Sequence, residues 1–281
     1  MKIYLGSAGI PTVSKDRSTI GGIKCISELG LSALEVQFVR RVAMSSEIAK
    51  EAGKLSKDLN IKLSVHAPYA INLCSEEMKK VEASKNRIIE SAEKADLMNA
   101  NIVVFHPGYY GKLSPERAIE SVKQACSDMV EEMKSKDIEV KLGLETTGKQ
   151  AAFGTLDEII NICKEVKDCR PVIDFAHLNC RCAGCLRREE DYANIFKKLE
   201  KIKIDCLHTH FTCAEFSVVG VGKGNERFHL ELKENKPPFE PLAKEILKRN
   251  IDITIISESP ILEQDSLKMK KIFEDLGYKS E

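Results

Sequence analysis

Net charge is the first thing this chain lacks. Lys and Arg together number 43, Asp and Glu together 43, and the formal net charge is zero. That removes the global basic signal of a protein that coats nucleic acid; any contact with phosphates would need positive charge focused locally. Long apolar runs are also missing. None approaches the roughly 20 residues that span a bilayer, so no membrane association is expected. The N-terminal MKIYLGSAGIP reads as a strand and loop, too short and interrupted for a signal peptide. A cytoplasmic protein is therefore expected, and its ten cysteines are expected to stay thiols. No linker or low-complexity tract divides the chain, so residues 1–281 are expected to form one domain.

What is present is alternation. Short apolar runs, IYLG, ALEVQF, LSVHA, IVVFH, VKLGLE, PVIDF, CLHTHF and ITIISE, are each followed by a longer amphipathic stretch. Helices are expected at about 45–60, 75–99, 114–136 and 189–201, among others. Thr155 with Glu158 forms a capping box, and Ser114-Pro115 places a cap before a proline at the first helical position. Eight β/α units predict an α/β fold, a (β/α)8 TIM barrel. The connection after the seventh strand, about 211–236, is expected to be a long loop, and long loops on the active face carry function.

His66, His106, Glu145, Asp174, His210 and Glu258 fall at or near the ends of six successive expected strands. Taken singly, a buried His is commonly a hydrogen-bonded core residue, and a strand-end carboxylate commonly a cap or ion-pair partner. Together they converge, because the C-terminal strand ends of such a barrel meet on one face. Three imidazoles and three carboxylates in one cup suit several metal ions. No histidine is expected on a helix. His208 shares a face with His210 and is expected one layer below it, supporting a ligand. His177, in the expected turn after strand six, and His229, in the long loop, would hold a further ion with Glu226 as carboxylate partner. Cys180, Cys182 and Cys185 form C-x-C-x-x-C. They read either as a thiolate metal site completed by Cys213 or as small apolar residues of a reduced loop.

The segments HAPYAINL, FHPGYY, LETTGKQ, IDFAH, HF and SESP resemble the endonuclease IV family of apurinic/apyrimidinic endonucleases, in that family's order and over nearly the whole chain. LGSAGIP and LGLSALEVQFVR resemble its archaeal branch. The resemblance implies three zinc ions. His66 and His106 would bind the first, with Glu145 bridging to the second. Asp174, His210 and Glu258 would complete the second, and His177 and His229 would bind the third. Tyr69 matches the residue that pushes into DNA beside an abasic nucleotide, and Arg40 and Arg41 are the expected phosphate contacts. The implied reaction is hydrolysis of double-stranded DNA on the 5′ side of an abasic site by a monomer, leaving a 3′-hydroxyl, with Glu145 and Glu258 as catalytic residues. One departure stands out. The family's third-site ligands come as D-x-H, whereas Glu226 and His229 are spaced E-x-x-H. The fold is shared with sugar isomerases and epimerases, which hold one ion with two carboxylates, a His and another polar group. That activity and a purely binding barrel are the competing readings.

Overall fold

The computed structural model describes residues 1–279. Its strands are β1 (Ile3–Ala8), β2 (Ala33–Gln37), β3 (Lys62–His66), β4 (Ile102–Phe105), β5 (Lys141–Glu145), β6 (Cys169–Asp174), β7 (Leu207–Phe211), β8 (Cys213–Gly220), β9 (Lys223–Leu230) and β10 (Ile253–Ser257). Eight of them close a parallel barrel in the order β1-β10-β7-β6-β5-β4-β3-β2, while β8 and β9 form a separate antiparallel pair. The expected (β/α)8 barrel is the observed fold. No helix of the described residues is long and apolar enough to cross a membrane.

Local chemistry starts the helices where the sequence places them. Ser45 and Ser114 accept hydrogen bonds from the amides of Ile48 and Arg117, satisfying N–H groups that have no partner inside the helix. Thr155 and Glu158 form the reciprocal capping box. The apolar faces of the helices, with Ile23, Ile26, Ile88, Val122, Met129 and Ile159, are buried against the outer faces of the strands. Each such side chain contributes about 1.5–3 kcal/mol of burial.

Inside the barrel, alternate residues of each strand point inward. Ile102, Val104 and Val172 form a small apolar plug. Gly143 sits among them, and a Cβ there would stand 2.8 Å from Ile102 Cδ1 and 2.9 Å from Val172 Cγ2. Parallel pairing sets Asp174 beside His210 and Gln37 beside His66. The polar residues thus form rings at the C-terminal ends of the strands.

Two local expectations are corrected. Asp174 caps a seven-residue helix, Phe175–Arg181, accepting the His177 amide at 2.7 Å. His177 therefore lies on a helix, not in a turn. Seven residues are too few to display a helical period in sequence. The connection after β7 is also no irregular loop. It is the β8–β9 hairpin, turning through Gly222 at φ +64°. Glycine-rich composition there hides the alternation that marks a strand.

Candidate metal centre

Glu145, at the end of β5, stands at the middle of the cup. Its Oε2 lies 2.9 Å from His106 Nε2 and 3.2 Å from His66 Nε2. Its Oε1 lies 3.2 Å from His210 Nδ1 and 3.3 Å from His177 Nδ1. One buried carboxylate is therefore shared among four imidazoles delivered by β3, β4, β7 and the helix after β6. Among the described residues four groups of side chains have donor atoms close enough to hold a cation: His66–His106–Glu145, Glu145–Asp174–His210–Glu258, His177–Glu226–His229 and, a layer down, Glu35–His208–His210. All nine residues named from the sequence as metal ligands fall in these groups, and Glu145 belongs to two of them.

The electrostatics follow from burial and proximity. Burial alone would raise the Glu145 pKa, yet His106 and His210 hold it well below the usual carboxylate range. Burial alone would lower His177 and His210, but Asp174 and Glu145 lift the first and Glu35, Glu145 and Glu258 lift the second. Asp174 differs. Burial pushes its carboxyl up to about 6, and its Oδ2 has no hydrogen-bond partner. A buried carboxylate oxygen left bare beside imidazoles and carboxylates is the environment a cation satisfies. Hard and borderline oxygen and nitrogen donors of this kind suit zinc or a similar divalent ion.

The third group depends on the hairpin. Glu226 Oε2 lies 3.3 Å from His177 Nε2, and Glu226 Oε1 lies 3.3 Å from His229 Nε2. Side chains three apart on a regular strand face opposite ways. Here the ladder pairs Glu215 with Phe228 and then Phe216 with Glu226, leaving Arg227 as an extra residue. This β-bulge restores Glu226 and His229 to one face, so that the E-x-x-H spacing still presents both side chains together. Gly148 makes room: a Cβ there would stand 2.7 Å from Glu226 Cβ and 3.2 Å from His177 Cδ2. Gln150 Nε2 donates to both Arg181 O and Gly224 O, at 2.7 and 3.0 Å, tying the hairpin to the short helix.

Below the cup lies a residue the sequence reading leaves out. Glu35, on β2, is fully buried, with His208 Nε2 2.9 Å from its Oε2 and His210 Nε2 3.0 Å from its Oε1. His208 is thus a layer down, as expected, and its partner is a carboxylate. The available signal was the single charge in the run ALEVQF, at the parity that points inward.

Tyr69 (63% exposed) stands beside the cup, its ring 6.0 Å from that of His66. With His106, Gly148, His177 and Glu226 it lines a cleft of about 120 Å³. Arg40 and Arg41 are exposed after β2, and Lys112, Lys149 and Lys223 are exposed in other connections at the strand ends. The cysteines do not behave as a thiolate site. Cys182 and Cys185 are joined as a disulfide. Cys180 is buried against Glu215 O, and Cys213 contacts Leu232 O and Pro237 O. The expectation that every cysteine is a thiol is corrected for this pair, because the tight turn through Ala183 and Gly184, both at positive φ, brings the two sulfurs together.

A family model described as xylose isomerase-like TIM barrel matches residues 23–274. An uncharacterized protein of Methanocaldococcus jannaschii is 34% identical over 98% of each chain. A protein of Aster yellows witches'-broom phytoplasma named probable endonuclease 4 is 30% identical over 63% of each chain. Among solved structures, a D-tagatose 3-epimerase-like protein superposes with a TM-score of 0.73 at 23% identity, covering 98% of this chain and 96% of the other. Endonuclease IV from Thermus thermophilus superposes with a TM-score of 0.71 at 20% identity and 98% coverage of both chains. These two structures share the fold.

Proposed function

The chain belongs to the xylose isomerase-like TIM barrel family, and on that premise we propose that it is a metal-dependent phosphodiester hydrolase of DNA repair. It cuts duplex DNA on the 5′ side of abasic sites and leaves a 3′-hydroxyl. The observation that carries this reading is the threefold grouping of donors around Glu145. The similarity to a probable endonuclease 4 supports it. His66, His106 and Glu145 would hold a first ion; Glu145, Asp174, His210 and Glu258 a second; His177, Glu226 and His229 a third. Zinc ions bound there would supply charge stabilisation at the phosphate and a water acidified to near neutral pH.

The side chains do the rest. Glu258 (15% exposed at its side chain) is more open to the cleft than Glu145 or Asp174. In this reading it orients the attacking water and takes its proton. Tyr69 fills the gap left by the missing base, and Arg40, Arg41, Lys112, Lys149 and Lys223 meet phosphates. Selectivity comes from the low cost of extruding a nucleotide with no base to unstack. In this reading the protein acts as a cytoplasmic monomer and a single domain.

The test is incubation of zinc-loaded protein with an end-labelled duplex carrying one tetrahydrofuran abasic analogue. Incision 5′ to the analogue is expected, abolished by chelator and absent from intact duplex. A second reading, a sugar isomerase or epimerase, draws on the Glu145–Asp174–His210–Glu258 group, which by itself would hold one ion. It leaves His66, His106 and the hairpin ligands without a use. Folded, zinc-loaded protein that fails to incise would favour it.

A further inference from the structure

The imidazoles of the cup are held in two different ways. His66 Nδ1 lies 2.8 Å from Ala67 O, His177 Nδ1 2.8 Å from Thr146 O, and His229 Nδ1 2.9 Å from Glu258 O. Each of these rings is steered by a backbone carbonyl and turns Nε2 to a carboxylate of the cup. His210 is reversed. Its Nδ1 faces Glu145 Oε1 at 3.2 Å and Glu258 Oε1 at 3.4 Å. Its Nε2 has no hydrogen-bond partner, and Glu35 Oε1 lies 3.0 Å from it as an ion-pair contact.

Glu35 is itself fixed on several sides. Its Oε2 accepts from Ser64 Oγ at 2.9 Å and lies 2.9 Å from His208 Nε2, and its Oε1 accepts from Gln37 Nε2 at 3.0 Å. Among the described residues its ion-pair partners are His208 and His210 alone. A fully buried carboxylate costs several kcal/mol to desolvate, and nothing in the packing of the barrel asks for one here. A carboxylate behind an imidazole, on the side away from a cation, fixes the tautomer and strengthens the ring as a donor.

We propose that Glu35 is a positioning residue for the second ion of the cup. It holds the His210 Nε2–H so that Nδ1 points into the Glu145–Asp174–Glu258 group, while His208, Ser64 and Gln37 hold Glu35. This rests on the metal-binding part of the proposed function and not on the substrate. His66 and His229 have a backbone carbonyl at Nδ1, and His177 Nδ1 also lies 3.3 Å from Glu145 Oε1 and 3.6 Å from Asp174 Oδ2; Glu35 differs from those two carboxylates in not being itself a donor of the Glu145–Asp174–His210–Glu258 group.

The experiment is zinc titration of wild-type and Glu35→Gln protein against a chromophoric chelator. One equivalent should bind about 10- to 100-fold more weakly in the variant, with the other equivalents unchanged. Nitrogen-15 histidine NMR of zinc-loaded wild-type protein provides a second readout that needs no variant. It should show His210 bound through Nδ1 and protonated at Nε2. Wild-type affinity throughout in Glu35→Gln overturns the proposal, as does an equal loss at every site, which marks a packing role. A fourth equivalent lost only in the variant also overturns it, since Glu35 would then be a ligand. So does metal bound at His210 Nε2. Failure to cut abasic DNA with the zinc result intact would remove the nuclease reading and leave this one standing.

Discussion

Glu226 Oε2 lies 3.3 Å from His177 Nε2, and across that contact a hairpin outside the barrel meets a helix rooted on β6. Gly148 lies against both partners, with space for no side chain. Gly148→Ala is expected to push Glu226 aside and to remove one zinc equivalent while the others remain. Overpacking of this kind costs about 1–3 kcal/mol of stability, so the barrel should stay folded. Zinc content after desalting is the measurement; retention of every equivalent would show that the hairpin does not help to bind metal.

Glu145 belongs to two donor groups at once. Glu145→Gln should therefore lose more than one equivalent, where Glu226→Gln should lose one. Incision of the abasic duplex should fall at least about a hundred-fold, more than removal of an outer partner costs. Equal zinc content in Glu145→Gln and wild type would show that the carboxylate is not shared between ions.

In the metal-free protein the imidazoles of the cup hold their protons. His210 and His177 are raised well above the ordinary range, and His229 is raised to about 9. A raised folded-state pKa contributes stability that is complete below the unfolded value, about 6.5 for His, and is lost as pH rises through the folded value. Metal-free protein should therefore lose thermal stability between about pH 6.5 and 9. Asp174, lifted to about 6 by burial, adds a loss of the same sign at lower pH, as the carboxyl ionises. Zinc bound as in the proposed function would displace these protons, so calorimetry at pH 7 in buffers of different ionisation enthalpy should detect proton release. A binding heat independent of the buffer would contradict this account.

Tyr69 is exposed and packs little. Tyr69→Ala should change stability by no more than about 0.5 kcal/mol and leave zinc content unchanged. Stacking of an aromatic ring on a base contributes about 1–3 kcal/mol, so binding of abasic duplex should weaken roughly tenfold. An unaltered KM on the tetrahydrofuran duplex would place the DNA elsewhere on the face.

The convergence of the strand-end donors was legible because period-two alternation and barrel geometry act on every strand alike. His66, Asp174 and His210 need only the strand assignment and the rule that C-terminal ends converge. Glu35 was not legible in the same way. It lies two residues before the end of β2, and its meaning appears only when the registers of β2 and β7 bring it under His210. His177 was read as a donor of the cup, where the structure groups it with Glu226 and His229, and wrongly as a turn residue, since a seven-residue helix leaves no periodic trace. The disulfide between Cys182 and Cys185 escaped because the argument from compartment says nothing of a local turn that joins neighbours.

The extra residue at Arg227 has a consequence for how such sites are recognised. Two donors share a face of a strand when they are two apart in a regular ladder, or three apart with one residue pushed out of it. The interval in the sequence is therefore not the quantity the chemistry fixes; the parity of the ladder is. A pattern that demands one spacing finds half the ways of building this corner of the cup. Two chains that differ there by a single inserted residue can present the same pair of donors to the same ion.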